Sequence, residues 1–183
     1  RDVFTAMAEA AGTLGTLIEI PAEILDRHFE DYIGNIIPLL SPDHFESAGK
    51  WIESAPIVEF LDTTESVAAL EETKKQYPEV LVMIKTELNE SSHERVEYLV
   101  SRGVDIIHLK ADRNGDVHSQ SQPDKVIGFM KDYIRKAHNH LVDKGLRNSI
   151  TLIGGGGIAM AEHVAKAIIC GADLVSINIP LLL

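Results

Sequence analysis

Four consecutive glycines, Gly154–Gly157, end the apolar run Ile150-Thr151-Leu152-Ile153 and open onto an amphipathic stretch from Met160 to Ile169. Gly171-Ala172-Asp173 and a second apolar run, Leu174–Ile177, follow directly. Strand, glycine loop, helix and strand in this order read as the closing units of a phosphate-binding (β/α) barrel. A dianionic phosphate is held best by unpaired N–H groups at a helix start, where the peptide dipoles add partial positive charge. Glycine lets the main chain come that close, because it carries no Cβ. Glycine runs also serve as simple turns. Here the strand before and the helix after favour a phosphate grip by Gly154, Gly155, Gly156, Gly157 and Ile158.

The chain has 183 residues, 45% of them hydrophobic, with a mean hydropathy of +0.02, enough for one folded domain spanning residues 1–183. Seventeen Lys and Arg against 28 Asp and Glu leave a net charge of −11, which repels nucleic acid and anionic membranes. No apolar run reaches the roughly 18 residues of a membrane span, and Arg1-Asp2-Val3-Phe4-Thr5 does not read as a targeting segment, so a cytoplasmic location is expected. The single cysteine, Cys170, can form no internal disulfide and can hold no iron–sulfur cluster alone. Its place at the end of an apolar helix predicts a small buried hydrophobe.

Apolar segments recur at Thr16–Ile20, Ile36–Leu40, Ile57–Leu61, Val80–Lys85, Val104–Leu109, Ile150–Ile153 and Leu174–Ile177. Helical patterns lie between most of them, at about Val3–Gly12, Asp43–Glu53, Thr64–Tyr77, Ser92–Arg102, Pro123–Lys144 and Met160–Cys170. Pro21 could open a short helix over Ala22–Phe29. Thr63 or Thr64 and Ser92 are candidate helix caps, Pro78 is a helix stop, and Gly103 and Gly145 suit left-handed positions after helices. Such alternation predicts an α/β fold with a parallel sheet buried on both faces. Seven strands predict a TIM-type (β/α)8 barrel that is incomplete in this chain, the first strand preceding Arg1 and a closing helix following Leu183; an open doubly wound sheet is the rival. The polar stretch Ala111–Gln122 would leave the C-terminal face as a loop, either a substrate-handling segment or a solvated crossover.

Several strings now align in barrel order: Val82-Met-Ile-Lys85-Thr-Glu87, Gly103-Val-Asp105-Ile-Ile-His-Leu, the Gly154–Ile158 loop with Glu162-His163-Val-Ala-Lys-Ala167, and Gly171-Ala-Asp173. With Ala6–Thr16 upstream, this set resembles the FMN-binding barrel domain of the glutamate synthase family. The resemblance implies an FMN oxidoreductase module that passes electrons from an iron–sulfur donor to an imine of 2-oxoglutarate, making glutamate. The donor must come from another segment or subunit, and glutamine hydrolysis from a separate domain. Lys85, emerging from an apolar strand, matches the family lysine credited with contacting the flavin's pyrimidine edge, where a cation stabilises negative charge. Glu87, two residues on and on the same face, could pair with Lys85 or handle a proton. Asn178 is the counterpart of the residues that complete the phosphate cradle after the last strand.

Two departures from that family stand out. Its His-Asp-Gly-Gly-Thr-Gly loop is replaced by Lys110–His118, with Gly115 the one plausible remnant. Its small pair after the last strand is replaced by Asn178-Ile179-Pro180, and proline has no N–H to donate. The eight histidines show no metal-ligand spacing, so no metal is expected. His44, His93 and His163, near helix starts, are expected to face water, whereas His108 sits at a strand end facing the barrel mouth. Two other functions remain open from the residues alone: a flavin-free aldolase or isomerase with Lys85 as Schiff-base nucleophile, and a non-catalytic barrel subunit. A small-molecule substrate is expected under either enzymatic reading, and a homo-oligomer is possible.

Overall fold

The computed structural model describes residues 2–41, 45 and 48–178. His44, Ile179, Pro180 and part of the expected Asp43–Glu53 helix lie outside those residues. The chain divides into two compact units, Arg1–Ile84 and Lys85–Leu183.

The first unit opens with α1 (Asp2–Leu14) and β1 (Ile18–Pro21), followed by 3-10 turns at Ala22–Ile24 and Arg27–Asn35. The short helix expected after Pro21 is thus two tighter pieces, the second capped by Asp26, whose carboxylate accepts from the His28 N–H at 2.9 Å. Next come β2 (Ile36–Leu40), α2 (Gly49–Ser54), β3 (Ile57–Leu61) and α3 (Ser66–Gln76). β1, β2 and β3 pair in parallel, with Ile18 opposite Ile36 and Leu39 opposite Glu59. Ala8, Ile20, Phe29 and Ile36 are fully buried together, flanked by Phe4, Tyr32 and Trp51, so α1 seals one side of this sheet. β4 (Leu81–Glu87) starts here, its Leu81 N–H donating to the Pro56 carbonyl, and the boundary between the units falls inside it.

The second unit continues with α4 (Ser92–Ser101), β5 (Ile106–Lys110), β6 (Asp116–His118), β7 (Val126–Phe129), α5 (Met130–Asp143), β8 (Thr151–Gly155), α6 (Ala161–Ile169) and β9 (Leu174–Ser176). β5, β8 and β9 are parallel neighbours, while β6 and β7 form an antiparallel hairpin. Ile106 to Leu109 are all buried, as a strand covered on both faces requires. Gly103 and Gly145 take φ of +84° and +69°, the left-handed helix ends expected of them.

Three expectations are corrected. Part of the segment read as a plain polar loop is strand β6, and α5 begins at Met130 rather than Pro123, because Val126–Phe129 pair with Asp116–His118 and the Met130 N–H is tied to the Gly115 carbonyl at 2.8 Å. The threonine and serine caps do not form as read: α3 and α4 start after Glu65 and Ser91 without a side-chain cap, Thr63 accepting from the Glu65 N–H and Ser92 from the Asn89 N–H. His93 turns inward, its Nδ1 buried without a partner and its ring edge-on to His140 of α5 at 5.1 Å. Burial, then the charges of Lys136 and His140, push its pKa down.

Arg147 fastens the lower end of β8. Its guanidinium donates to His138 Nδ1, to the carbonyls of Ile150 and Gly171 and, at 2.7 Å, to Asp173, whose other oxygen accepts from the Leu152 N–H. The Gly-Ala-Asp string therefore stitches β8 to β9 through a bidentate carboxylate. Among the described residues, no helix is long and apolar enough to cross a membrane.

Candidate functional site

The candidate site lies within Lys85–Leu183, at the C-terminal ends of its parallel strands. The Leu88 N–H donates to the Lys110 carbonyl at 2.8 Å, which sets Glu87 opposite Lys110. Lys110 is opposite Gly155, and Gly155 opposite Ser176. One row therefore reads Glu87, Lys110, Gly155, Ser176. Two residues back, the same register sets Lys85 opposite His108, which is itself opposite Ile153. Residues two apart share a face, so Lys85, Glu87, His108, Lys110 and Gly155 look to one side of the sheet. Gly154 looks to the other, against Ile134 of α5.

The side chains sort by depth. His108 is buried, and its Nε2 would lie 2.6 Å from a Cβ at position 155, so the ring occupies the room that Gly155 leaves. Lys85 is half-buried one strand away. At the rim, Glu87 is ion-paired with Lys110 at 3.9 Å, a weak exposed pair whose partner is the lysine across the strand gap. The face therefore carries a buried imidazole, the half-buried Lys85 and, at its rim, the Glu87–Lys110 pair.

The glycine loop is shaped first by the chain itself. Gly156 and Gly157 have φ of +100° and +65°, and Cβ atoms there would stand 2.5 Å from the Ala111 carbonyl oxygen and 2.5 Å from the Gly115 nitrogen. Two backbones touch, so glycine is required whatever binds nearby. Gly115, with φ +85°, is the matching half of this contact. Beyond it the N–H groups of Gly157 and Ile158 find no acceptor among the described residues, although Ile158 is buried. α6 then begins at Ala161 with no side-chain cap. Open N–H groups on a part-buried Gly157 and a buried Ile158, just ahead of an uncapped helix, are what an anionic group satisfies, so the residues fit a phosphate here. Asn178 is exposed just past β9, and Ile179 and Pro180 lie outside the described residues.

Sequence reasoning missed three features. His163, expected to face water, is half-buried, its Nδ1 lying 3.1 Å from the Gly157 carbonyl oxygen and 3.3 Å from the Ala159 nitrogen. Asp112 and His118 latch the segment after β5: His118 Nε2 meets one Asp112 oxygen at 3.1 Å, and the other accepts from the N–H groups of Asn114 and Asp116. The spacing of an Asp six residues before a His was the available signal. Within Arg1–Ile84, carboxylate oxygens of Glu19 on β1 and Glu59 on β3 come within 4.8 Å, with Glu59 buried.

The latch has a definite charge state. The Asp112 bond raises the His118 pKa above its ordinary 6.5, against burial. Burial opposes the charged form of Asp112, yet the bonds from His118, Asp116 and Asn114 bring it below its ordinary 3.8. The His118 contribution is full below about pH 6.5 and fades as pH rises through its folded value; that of Asp112 is full above about pH 4 and fades as pH falls through its own. Amide exchange of Gly115–Val117, corrected for intrinsic rates, should be slowest between these limits. In His118→Gln the alkaline loss of protection should vanish; an unchanged profile would refute the latch.

A family model described as the conserved region in glutamate synthase matches residues 46–183. Among solved structures, that of FabK from Thermotoga maritima is similar with a TM-score of 0.69 and 15% sequence identity, over 97% of this chain and 55% of that one. The chain thus spans about half the length of that neighbour, and at this identity the likeness shows the fold, an α/β barrel of the TIM type with seven parallel strands among the described residues. No curated protein sequence matches.

Proposed function

The chain belongs to the glutamate synthase family, through the region conserved there, and on that premise we propose that residues 1–183 are part of an FMN-binding barrel domain that serves as an oxidoreductase module. The observation that carries this reading is that the Lys85–His108–Lys110 face lies in register with Gly155, whose strand runs on into the open N–H groups of Gly157 and Ile158 ahead of α6. A flavin mononucleotide needs both: a cation beside its ring and an anion grip for its phosphate. FMN, when bound, supplies hydride-transfer chemistry.

The chain's own part is to bind and to tune. The N–H groups of Gly157 and Ile158, with the first turn of α6, take the phosphate. Lys85 offers its ammonium to the side of the ring that becomes negative on reduction, with buried His108 beside it narrowing the access of water. Glu87, held by Lys110 at the rim, is the group placed to exchange a proton with an acceptor. Asn178, after β9, is the remaining candidate for the phosphate. With one cysteine in the chain, electrons come from an iron–sulfur donor on another segment or subunit. The acceptor is an imine of 2-oxoglutarate or a related 2-oxo acid, giving L-glutamate or its analogue.

Lys85→Met tests the tuning. The midpoint potential of the bound flavin should fall by on the order of 50 mV, the equivalent of a few kcal/mol for a two-electron couple, while oxidised FMN still binds. An unchanged potential removes Lys85 from this role. Borohydride trapping of a carbonyl substrate on Lys85 in a colourless protein would favour the Schiff-base alternative instead.

A further inference from the structure

We propose that His163 is a positioning residue for the anion grip, setting the direction of the Ile158 N–H by holding the carbonyl of Gly157; this rests on the phosphate reading above.

One ring nitrogen of His163 has two polar neighbours. His163 Nδ1 lies 3.1 Å from the Gly157 oxygen, an acceptor, and 3.3 Å from the Ala159 nitrogen, an N–H donor. A single ring nitrogen serves one of them at a time. With its proton on Nδ1 it donates to Gly157; with the proton on Nε2 it accepts from Ala159. The shorter approach is to the carbonyl.

The consequence follows from peptide planarity. The Gly157 carbonyl and the Ile158 N–H belong to one planar trans unit and point in opposite directions. No cis peptide is present among the described residues. A ring that holds the carbonyl on its own side therefore turns the Ile158 N–H to the opposite side of the peptide, where it has no acceptor among the described residues. Gly157 has φ +65° and no side chain to resist other orientations, so the peptide needs such an external brace. His163 is well placed to supply it: with the Met160 carbonyl accepting from the His163 N–H at 3.0 Å, it is the third residue of α6, from which side chains reach back over the helix start. The charged neighbours on its own helix, Glu162 and Lys166, are exposed.

Two measurements on the full chain test this. Imidazole nitrogen NMR of the ligand-free protein should find the His163 proton on Nδ1; a ring protonated only on Nε2 overturns the proposal whether or not any flavin binds. Equilibrium titrations with FMN and riboflavin then read the grip, since the two differ by the phosphate. His163→Leu should weaken FMN binding about tenfold, the equivalent of one charge-assisted hydrogen bond, and leave riboflavin binding within twofold. His163→Asn, whose amide nitrogen can donate in the place of Nδ1, should recover most of the loss. Parallel loss of both ligands, or no loss of FMN, contradicts the proposal. A wild-type chain that binds FMN no better than riboflavin, with the proton on Nδ1, contradicts the phosphate reading and leaves the orientation of the peptide established.

Discussion

Gly156→Val is expected to unfold Lys85–Leu183 or cost it on the order of 3–5 kcal/mol. Two penalties coincide. A β-branched residue at φ +100° is strained by about 1–3 kcal/mol, and its Cβ would meet the carbonyl oxygens of Ala111 and Asp112 at 2.5 and 2.6 Å. Those atoms are backbone, held by the Ala111 N–H to Gly155 carbonyl bond at 2.8 Å, so neither side can give way cheaply. Urea unfolding monitored by circular dichroism gives the magnitude, and a loss under 1 kcal/mol would show that the two loops do not touch as described. The same overlap makes bulky replacements at Gly155 and Gly156 poor probes of ligand binding, because they break the protein before they reach any phosphate. Lys85 and His163 are the informative positions.

Arg147→Ala should be nearly as damaging, at about 3 kcal/mol. Arg147 is 14% exposed and donates to four groups, two of them main-chain carbonyls with no other partner described. Truncation strands these acceptors and leaves the Asp173 carboxylate without its cation, although that carboxylate is 42% exposed and water recovers part of the loss. Arg147→Lys should restore little, because an ammonium cannot reproduce the planar fork. Thermal unfolding of both variants checks this: a lysine variant as stable as wild type would mean that charge alone matters. The effect belongs to the end of β8 opposite the glycine loop, so any flavin bound by the folded fraction should keep its potential.

The repeated apolar runs made the seven parallel strands legible, since each is a short β-rich segment bounded by turn residues, and Ile106–Leu109 needed no long-range information to be read as buried. Gly103 and Gly145 were legible for a local reason too: a helix that stops requires a left-handed residue. The hairpin was not. Asp116-Val117-His118 is a strand because it pairs with Val126–Phe129 and because Asp112 gathers two N–H groups and a histidine, and no window of sequence contains all of these. The same pairing withholds residues 126–129 from α5.

Side-chain direction was the other blind spot. His93 and His163 sit in first helical turns, where a polar residue ordinarily meets water. His93 is drawn in by the packing of α4 on α5, and His163 by a glycine loop whose path is set by contacts with Gly115. The positions of Lys85 and His108 on their strands could be read; that the two share a row became visible only with the register. Family resemblance suggested the cofactor, while the arrangement of Gly157 and Ile158 ahead of α6 supplied the reason a phosphate fits.

The visible absorption spectrum of the full chain, taken after incubation with FMN and removal of the free cofactor, tests the central claim most directly. A retained flavin band, displaced from that of free FMN, is expected at close to one flavin per chain. A folded protein that elutes colourless, with no FMN retained, would contradict it.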